Sequence, residues 1–374
     1  MAGSRCDVLV VGGGPGGSSC ARALVRAGLD VVVLDRRRFP RDKVCAGWIT
    51  PPVLAALEID PADYARGRVL QPVHGFAVAR LGARAARVHY GAPVSYGIRR
   101  CELDHYLLER SGARLLLGEP LRELRRAHGR WIANDAIEAA IVVGAGGHFC
   151  PVAQRLGCAT GPPAPVVAAQ EVEVRLAPET LEKLALDATL PELFFEPDLA
   201  GYGWVVRKGD WLNVGLGRQG ASPGGLGEHV ARFLDRMRAL GKAPAALDAR
   251  FRGHAYLLHG QTDRPLVREG ILLVGDAAGL AYPRSGEGIR PAVESGLLAA
   301  RTIVEAGGDP EARALARYAE RIEARFGPRG PRPPAPAPSW KRALAGRLLA
   351  TPAFARRVVL DRWFLHRELP ALAA

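Results

Sequence analysis

Two glycine-bearing stretches far apart in the chain carry residues suited to holding phosphate. The first is Val8-Leu9-Val10-Val11-Gly12-Gly13-Gly14-Pro15-Gly16-Gly17, and the second is Ile271-Leu272-Leu273-Val274-Gly275-Asp276-Ala277-Ala278-Gly279. Each reads as an apolar strand, a turn and a helix start, which leaves backbone N–H groups free to face an electron-rich ligand. In the first, Gly12 permits the tight turn, Gly14 lets backbone approach a pyrophosphate, and Gly17 lets the helix from Pro15 to about Arg26 lie close on the sheet. A second strand, Val31 to Leu34, delivers Asp35, where a carboxylate accepts hydrogen bonds from ribose hydroxyls. A ligand-free strand-to-helix turn uses the same glycines. Strand, glycines, helix, second strand and acid all agree on a dinucleotide, and the distant Gly275-Asp276 turn points to FAD.

Other reactive side chains form no comparable pattern. Arg36, Arg37 and Arg38 read as an exposed basic run rather than a 2′-phosphate site. The six cysteines (6, 20, 45, 101, 150 and 158) lack paired metal-ligand spacing, and the nine histidines are scattered, so reduced thiols and no metal are expected. No cysteine follows Cys158, so the C-terminal half cannot supply the cysteines of an iron–sulfur cluster.

The elements that must position these groups alternate in type. After Asp35, a loop containing Lys43 and Cys45 leads to a short helical region. Val69 to Tyr90 alternates like strands, with turn signals at His74-Gly75 and Leu81-Gly82. A helix over Cys101–Glu109, a strand over Ala113–Leu117 and a third strand, Ala140–Val143, entering Gly144, favour an α/β fold with a doubly wound, mainly parallel, Rossmann-like sheet. Strand patterns at Val166–Leu176, Leu193–Glu196, Gly203–Arg207 and Trp211–Leu216, with a helix near Gly227–Leu240, predict an antiparallel substrate domain. The expected division gives 1–68, 98–161 and 258–326 to FAD binding, and 69–97 and 162–257 to the substrate domain. A Pro-rich spacer and basic C-terminal helices form 327–374, with the spacer itself at Gly327–Pro338.

Hydrophobic residues make up 48% of the 374 and charged residues 24%, ordinary values for a globular chain. A strand so near Met1 leaves no room for a signal peptide, and no run of about 18 uncharged apolar residues is present, so a cytoplasmic location is expected. From Arg325 onward there are ten Lys or Arg against Asp361 and Glu368. No nucleic-acid module accompanies this charge. Trp340, Phe354, Trp363, Phe364 and Leu365 are interleaved with Lys341, Arg342, Arg347, Arg356, Arg357 and Arg362, a pattern that fits an anionic membrane surface. A helix packed on the body with its basic face in water has the same pattern.

The Gly-rich opening, Lys43-Val44-Cys45-Ala46-Gly47, Arg100-Cys101-Glu102-Leu103-Asp104, Gly201-Tyr202-Gly203-Trp204 and Gly275-Asp276-Ala277-Ala278-Gly279 occur in the order found in geranylgeranyl reductase-like flavoproteins. The chain resembles that family over residues 5 to 325, within the larger group that includes the aromatic hydroxylases. The resemblance implies that Asp276 holds the ribityl chain of FAD and that Gly286, Gly288 and Ile289 bring a helix start beneath the flavin pyrimidine edge, where its positive end favours reduced, anionic flavin. It implies that Arg100 contacts FAD, although Leu103 stands where the family has Phe; an exposed helix-start arginine is the alternative. Cys45, with Lys43 beside it, is implied to lie near the isoalloxazine ring, in proton transfer or in shaping the substrate pocket. Buried free cysteine also serves plain packing. Tyr202 and Trp204 match the reductases' Tyr-x-Trp-x-Phe-Pro segment and are implied to wall an apolar site, with Val206 and Arg207 in place of Phe and Pro; core packing explains them as well. Gly146-Gly147 replaces an Asp-Gly pair associated with pyrophosphate and reduced pyridine nucleotide.

The implied activity is an FAD-dependent reductase in which flavin N5 delivers hydride to a carbon–carbon double bond of a small apolar, isoprenoid substrate. NADPH or NADH would bind transiently, because the chain has no second dinucleotide fingerprint. The alternative is a flavin monooxygenase, which shares the fold and most cofactor motifs. A third reading, a membrane electron carrier of the quinone reductase type, is weakened in its cluster-containing form by the missing late cysteines.

Overall fold

The computed structural model describes residues 4–157, 166–220, 225–247, 250–310, 312–330 and 338–372. Cys158 and most of the Pro-rich spacer lie outside them. The strand Ser4–Val11 occupies the middle of a mainly parallel sheet. On one side it pairs with Val31–Asp35 and then Arg114–Leu117; on the other it pairs with Ile137–Gly144 and then Ile271–Leu273. The chain thus winds outward in both directions from its first strand, which makes a topological switch point there. Val8, Leu9, Val10 and Val11 are buried on both faces, as a central parallel strand requires.

Register brings the distant motifs together. Val11 pairs with both Leu34 and Gly144, and Gly144 pairs with Leu273, so the turns that follow these strands share the carboxyl edge of the sheet. The helix Pro15–Arg26 crosses the helix Ile289–Glu305 at Gly16 and Gly296. A Cβ at Gly296 would overlap the Gly16 carbonyl oxygen. Two glycines are needed because backbone meets backbone at this crossing.

The second sheet has seven strands in the order Arg252–Tyr256, Val167–Arg175, Trp211–Gln219, Gly201–Lys208, Glu192–Phe195, Gly75–Arg80 and Ala86–His89. All neighbouring pairs are antiparallel except Glu192–Phe195 with Gly75–Arg80. The outer face packs on the helix Gly225–Ala239 through Phe194, Val205, Leu212, Val214 and Phe233. A small third sheet, Trp48–Ile49, Ser95–Ile98 and Leu70–Val73, joins the two larger ones.

This corrects one turn reading. His74-Gly75 does not reverse the chain; it is where the chain passes from the small sheet into the seven-stranded one, and Tyr90 N–H donates to the His74 carbonyl. A Cβ at Gly75 would overlap the Val88 carbonyl, so glycine is required by a close strand neighbour.

The C-terminal segment returns to the body. After the helix Ser339–Leu348, a stretch of π-helix, Ala355–Phe364, lays Ala355, Val359, Leu360 and Phe364 on the inner face of the seven-stranded sheet. No helix among the described residues is long and apolar enough to cross a membrane.

Candidate functional site

At the carboxyl edge of the parallel sheet, Gly12 adopts a φ of +115°, and a Cβ there would overlap the Ala145 carbonyl. Gly17 is equally confined, since its Cβ would overlap the Gly12 carbonyl. Between them, Gly14 caps the helix that Pro15 opens; no side chain caps it and no acid occupies its first turn. Uncapped N–H groups at a positive helix end form the cradle a pyrophosphate requires. Asp35 ends its strand beside this cradle, accepting from Gly13 N–H at 2.7 Å and from Arg37 N–H at 2.8 Å. Arg36, Arg37 and Arg38 are exposed.

Arg100 is buried at the start of the helix Arg100–Glu109, which excludes the exposed alternative. Its guanidinium grips both carboxylate oxygens of the fully buried Asp104, at 2.9 Å each. Burial opposes the Arg100 charge, but Asp104 outweighs it and holds the group protonated. Arg41 lies 3.2 Å from the same carboxylate, yet its Nη1 is buried without hydrogen-bond geometry to any group. Arg41 also borders the position of a Cβ on Gly14. An under-used cation beside a glycine cradle fits a diphosphate.

Asp276 follows Gly275, whose φ of +57° turns the chain out of its strand. The carboxylate meets His254 Nε2 at 3.3 Å, and His254 and Lys43 hold it ionised against burial. Lys43 itself is brought down to about 8, by burial first and then by Arg100, against the pull of Asp276, Cys45 and Asp104. His148, near the Gly146-Gly147 turn, is pushed down to about 4 by burial and Arg264, and its Nδ1 is buried with no partner. The helix Ile289–Glu305 begins at Gly288 without a side chain on its N-cap, and a Cβ on Gly288 would meet Asp276. Glu287 reaches over this helix start to accept from Arg290 N–H at 2.7 Å. Burial pushes the Glu287 carboxyl up to about 7. Gly286, at a φ of +69°, leaves room for the Tyr256 hydroxyl.

Tyr202 and Trp204 stand on the same face of their strand, with ring centroids 6.0 Å apart. Phe195 adds to this wall at 5.6 Å from Tyr202. Phe364 completes it from the C-terminal segment, 5.3 Å from Tyr202 and 6.2 Å from Trp48. The Tyr202 hydroxyl donates to the Ser285 carbonyl, which ties the aromatic wall to the loop before the helix Ile289–Glu305. Burial holds the Tyr202 phenol well above its ordinary range.

The Cys45 loop lies over the polar part of the same sheet face. Glu171, Glu173, Asn213 and Lys208 alternate with outward apolar residues on their strands. Asn213 Nδ2 donates to the Cys45 carbonyl at 3.1 Å and to Glu171 Oε2 at 3.2 Å. The fully buried Lys208 ammonium donates to the carbonyls of Ala46 and Ile98, and to Glu173. These residues escaped attention in the sequence. Their signal was there: Glu171 and Glu173 occupy alternate positions of a strand that pattern alone would half bury.

All the residues singled out from the sequence therefore fall in two adjoining groups. One group, at the sheet edge, comprises Gly12, Gly14, Pro15, Gly17, Asp35, Arg100, Gly275, Asp276, Gly286, Gly288 and Ile289. Lys43 lies with this group, beside Asp276 and Arg100, and the other joins Cys45 to the Tyr202–Trp204 wall.

The sequence profile described as FAD dependent oxidoreductase matches residues 7–105. The digeranylgeranylglycerophospholipid reductase of Methanothrix thermoacetophila is 31% identical over 340 residues, covering 85% of this chain and 83% of the relative. The menaquinone reductase of Mycobacterium tuberculosis is 29% identical, covering 79% and 76%. Among solved structures, a geranylgeranyl bacteriochlorophyll reductase-like protein from Thermoplasma acidophilum superposes with a TM-score of 0.73 at 23% identity, covering 93% and 88%. Identity of this extent, along a fold that gathers both glycine turns at one sheet edge, makes the chain a member of the geranylgeranyl reductase family of FAD-dependent oxidoreductases.

Proposed function

We propose that the chain reduces a carbon–carbon double bond in a small apolar, isoprenoid substrate. The observation that carries this reading is the aromatic wall of Phe195, Tyr202, Trp204 and Phe364 set beside the Cys45 loop and the Gly286–Ile289 helix start. The digeranylgeranylglycerophospholipid reductase among its relatives supports a polyprenyl group as the reacting part. Bound FAD supplies the redox chemistry, as a hydride donor in its reduced form.

The chain's own residues hold, orient and exclude. Gly12, Gly14, Pro15 and Gly17, with Arg41, hold the pyrophosphate; Asp35 holds the adenosine ribose and Asp276 the ribityl chain. Arg100, fixed by Asp104, keeps a positive charge beside Cys45, while the helix start at Ile289 offers its positive end to the electron-rich edge of the ring. Tyr202 and Trp204 seat the apolar substrate and keep water from the reacting carbon. Cys45 Sγ holds the proton that completes the addition. Residues 69–97 and 162–257 serve as the substrate domain within the split organisation described above. NADPH or NADH binds transiently as electron donor.

A peripheral membrane contact belongs to the same reading. Trp340 and Leu344 are exposed on the helix Ser339–Leu348 beside exposed Arg342 and Arg347, a surface suited to anionic headgroups. Sedimentation with phosphatidylglycerol vesicles, lost in Leu344→Ser/Arg347→Glu, tests it; equal sedimentation of the variant overturns it.

The reaction is tested by titrating holoenzyme anaerobically with NADPH and NADH and then adding polyprenyl alkenes. Flavin bleaching followed by a hydrogenated product is the expected result. A product that forms only with oxygen and carries one oxygen atom identifies a monooxygenase instead, and absence of any product in either atmosphere removes both readings.

A further inference from the structure

Two residues placed at the reacting end, Trp204 and Cys45, lie on different strands and loops and do not share backbone hydrogen bonds. One amide joins them. Asn213 Oδ1 accepts from the Trp204 indole Nε1–H at 2.7 Å, and Asn213 Nδ2 donates to the Cys45 carbonyl at 3.1 Å. Nδ2 also faces Glu171 Oε2 at 3.2 Å and Glu173 Oε1 at 3.3 Å. The amide orientation is therefore settled by its neighbours. Turned over, its oxygen would face two carboxylates and a carbonyl, and its NH2 would face an N–H.

The surroundings are built to keep this connection. Asn213 is fully buried, so its hydrogen bonds have no water to replace them. Gly215, two residues along the same face, must lack a side chain because a Cβ there would overlap the Trp204 indole. The indole can then lie across the neighbouring strand and bring Nε1 over Asn213. Strand register serves the same end, pairing Trp204 with Gly215 and Val206 with Asn213. Below the amide, Glu171 and Glu173 both accept from Nδ2, so the group bonded to the Cys45 carbonyl is itself held by one strip of side chains.

We infer that Asn213 is a positioning residue that couples the Trp204 wall to the Cys45 loop, so that an apolar group seated against the indole also sets the place of the thiol. The inference rests on the reading of Trp204 and Cys45 given under Proposed function. Its physical content is that indole and loop shift together, because a buried amide bonded at both ends transmits displacement where two independent packing contacts would not.

The experiment reads Cys45 alkylation by iodoacetamide in holoenzyme carrying Cys101→Ser and Cys158→Ser, together with kcat and KM for a polyprenyl alkene. Asn213→Ala is expected to change the alkylation rate about fivefold, the equilibrium factor of one lost hydrogen bond, and to lower kcat more than it raises KM. Trp204→Phe removes the indole donor together with part of the ring, leaves the amide bonded to the loop, and is expected to shift alkylation in the same direction. The double variant should show no more than the larger single effect. Unchanged alkylation in Trp204→Phe, or effects that add in the double variant, overturns the coupling. Should Asn213→Ala fail to retain flavin, Trp204→Phe alone still decides. A chain that reduces no polyprenyl alkene removes the proposed reaction, whereas the alkylation result continues to judge the inference.

Discussion

Arg100 and Asp104 show how a single pair supports this site. The two are one helical turn apart, nearly or fully buried, and joined through both carboxylate oxygens. Arg100→Met would leave Asp104 with only the poorly aligned Arg41, at a cost of about 3–5 kcal/mol, as for other broken buried pairs. Urea denaturation measures this, and Arg100→Lys should recover only part of it, because an ammonium cannot match a carboxylate at two points. Glu171 makes a pH prediction. Burial raises its carboxyl from an ordinary 4.5 to about 7, so the folded state binds the proton more tightly than the unfolded chain. Its contribution is full below the unfolded value and is lost as pH rises through about 7, a difference on the order of 3 kcal/mol. Glu171→Gln should therefore flatten the fall in stability between pH 5 and 7.5, measured as the urea midpoint at each pH. An unchanged slope would reassign that pH dependence to other groups, Glu287 first.

The crossing of Pro15–Arg26 with Ile289–Glu305 links the two halves of the cofactor site. One helix begins at the pyrophosphate cradle, the other at the Gly288 cap, and they touch where Gly16 faces Gly296. A methyl group at Gly296 would force the helices apart at the point that sets both starts. Gly296→Ala is expected to destabilise by about 1–3 kcal/mol, the usual range for overpacking. It should also lower the flavin retained per chain, read from the absorbance ratio of flavin to protein; full retention would show that the cradle tolerates a shifted partner helix. Neighbouring turns explain why Gly12, Gly14 and Gly17 were readable in advance while Gly16 was not assigned a task. The former serve a local turn and helix start, whereas Gly16 is required by a helix nearly three hundred residues on.

The C-terminal segment is part of the enzyme body. Arg290, 1% exposed and paired with Glu294, donates to the carbonyls of Leu369 and Pro370 at 2.8 and 2.9 Å. Arg325 binds the same Glu294 and the Pro370 carbonyl. His366 stacks on Tyr282 with ring centroids 3.7 Å apart. This latch holds Phe364, 1% exposed, against the aromatic wall. Phe364→Ala is expected to cost about 3–5 kcal/mol in thermal or urea unfolding, as large buried truncations do. Removing the chain after Ala350 should uncover Trp48, Phe195 and Tyr202 and produce strong binding of a hydrophobic dye. A truncated protein that melts as the full chain does and binds no dye would refute this role. The interleaved aromatic and basic residues of the tail thus divide, with Phe364 and Leu365 buried in the body and Trp340 and Leu344 left at the surface.

Local pattern alone determined the dinucleotide turn, its acid at Asp35, the parallel sheet and the second sheet. Each depends on residues close in sequence, where period, glycine and propensity act directly. Tertiary structure alone decided that Arg100 is buried against Asp104, that Asn213 and Lys208 hold the Cys45 loop, and that Phe364 closes the aromatic wall. These contacts join strands and loops separated by more than a hundred residues, or turn on whether a charge is buried. Spacing along the chain does not encode such pairings; strand register and the return of the C-terminal segment do.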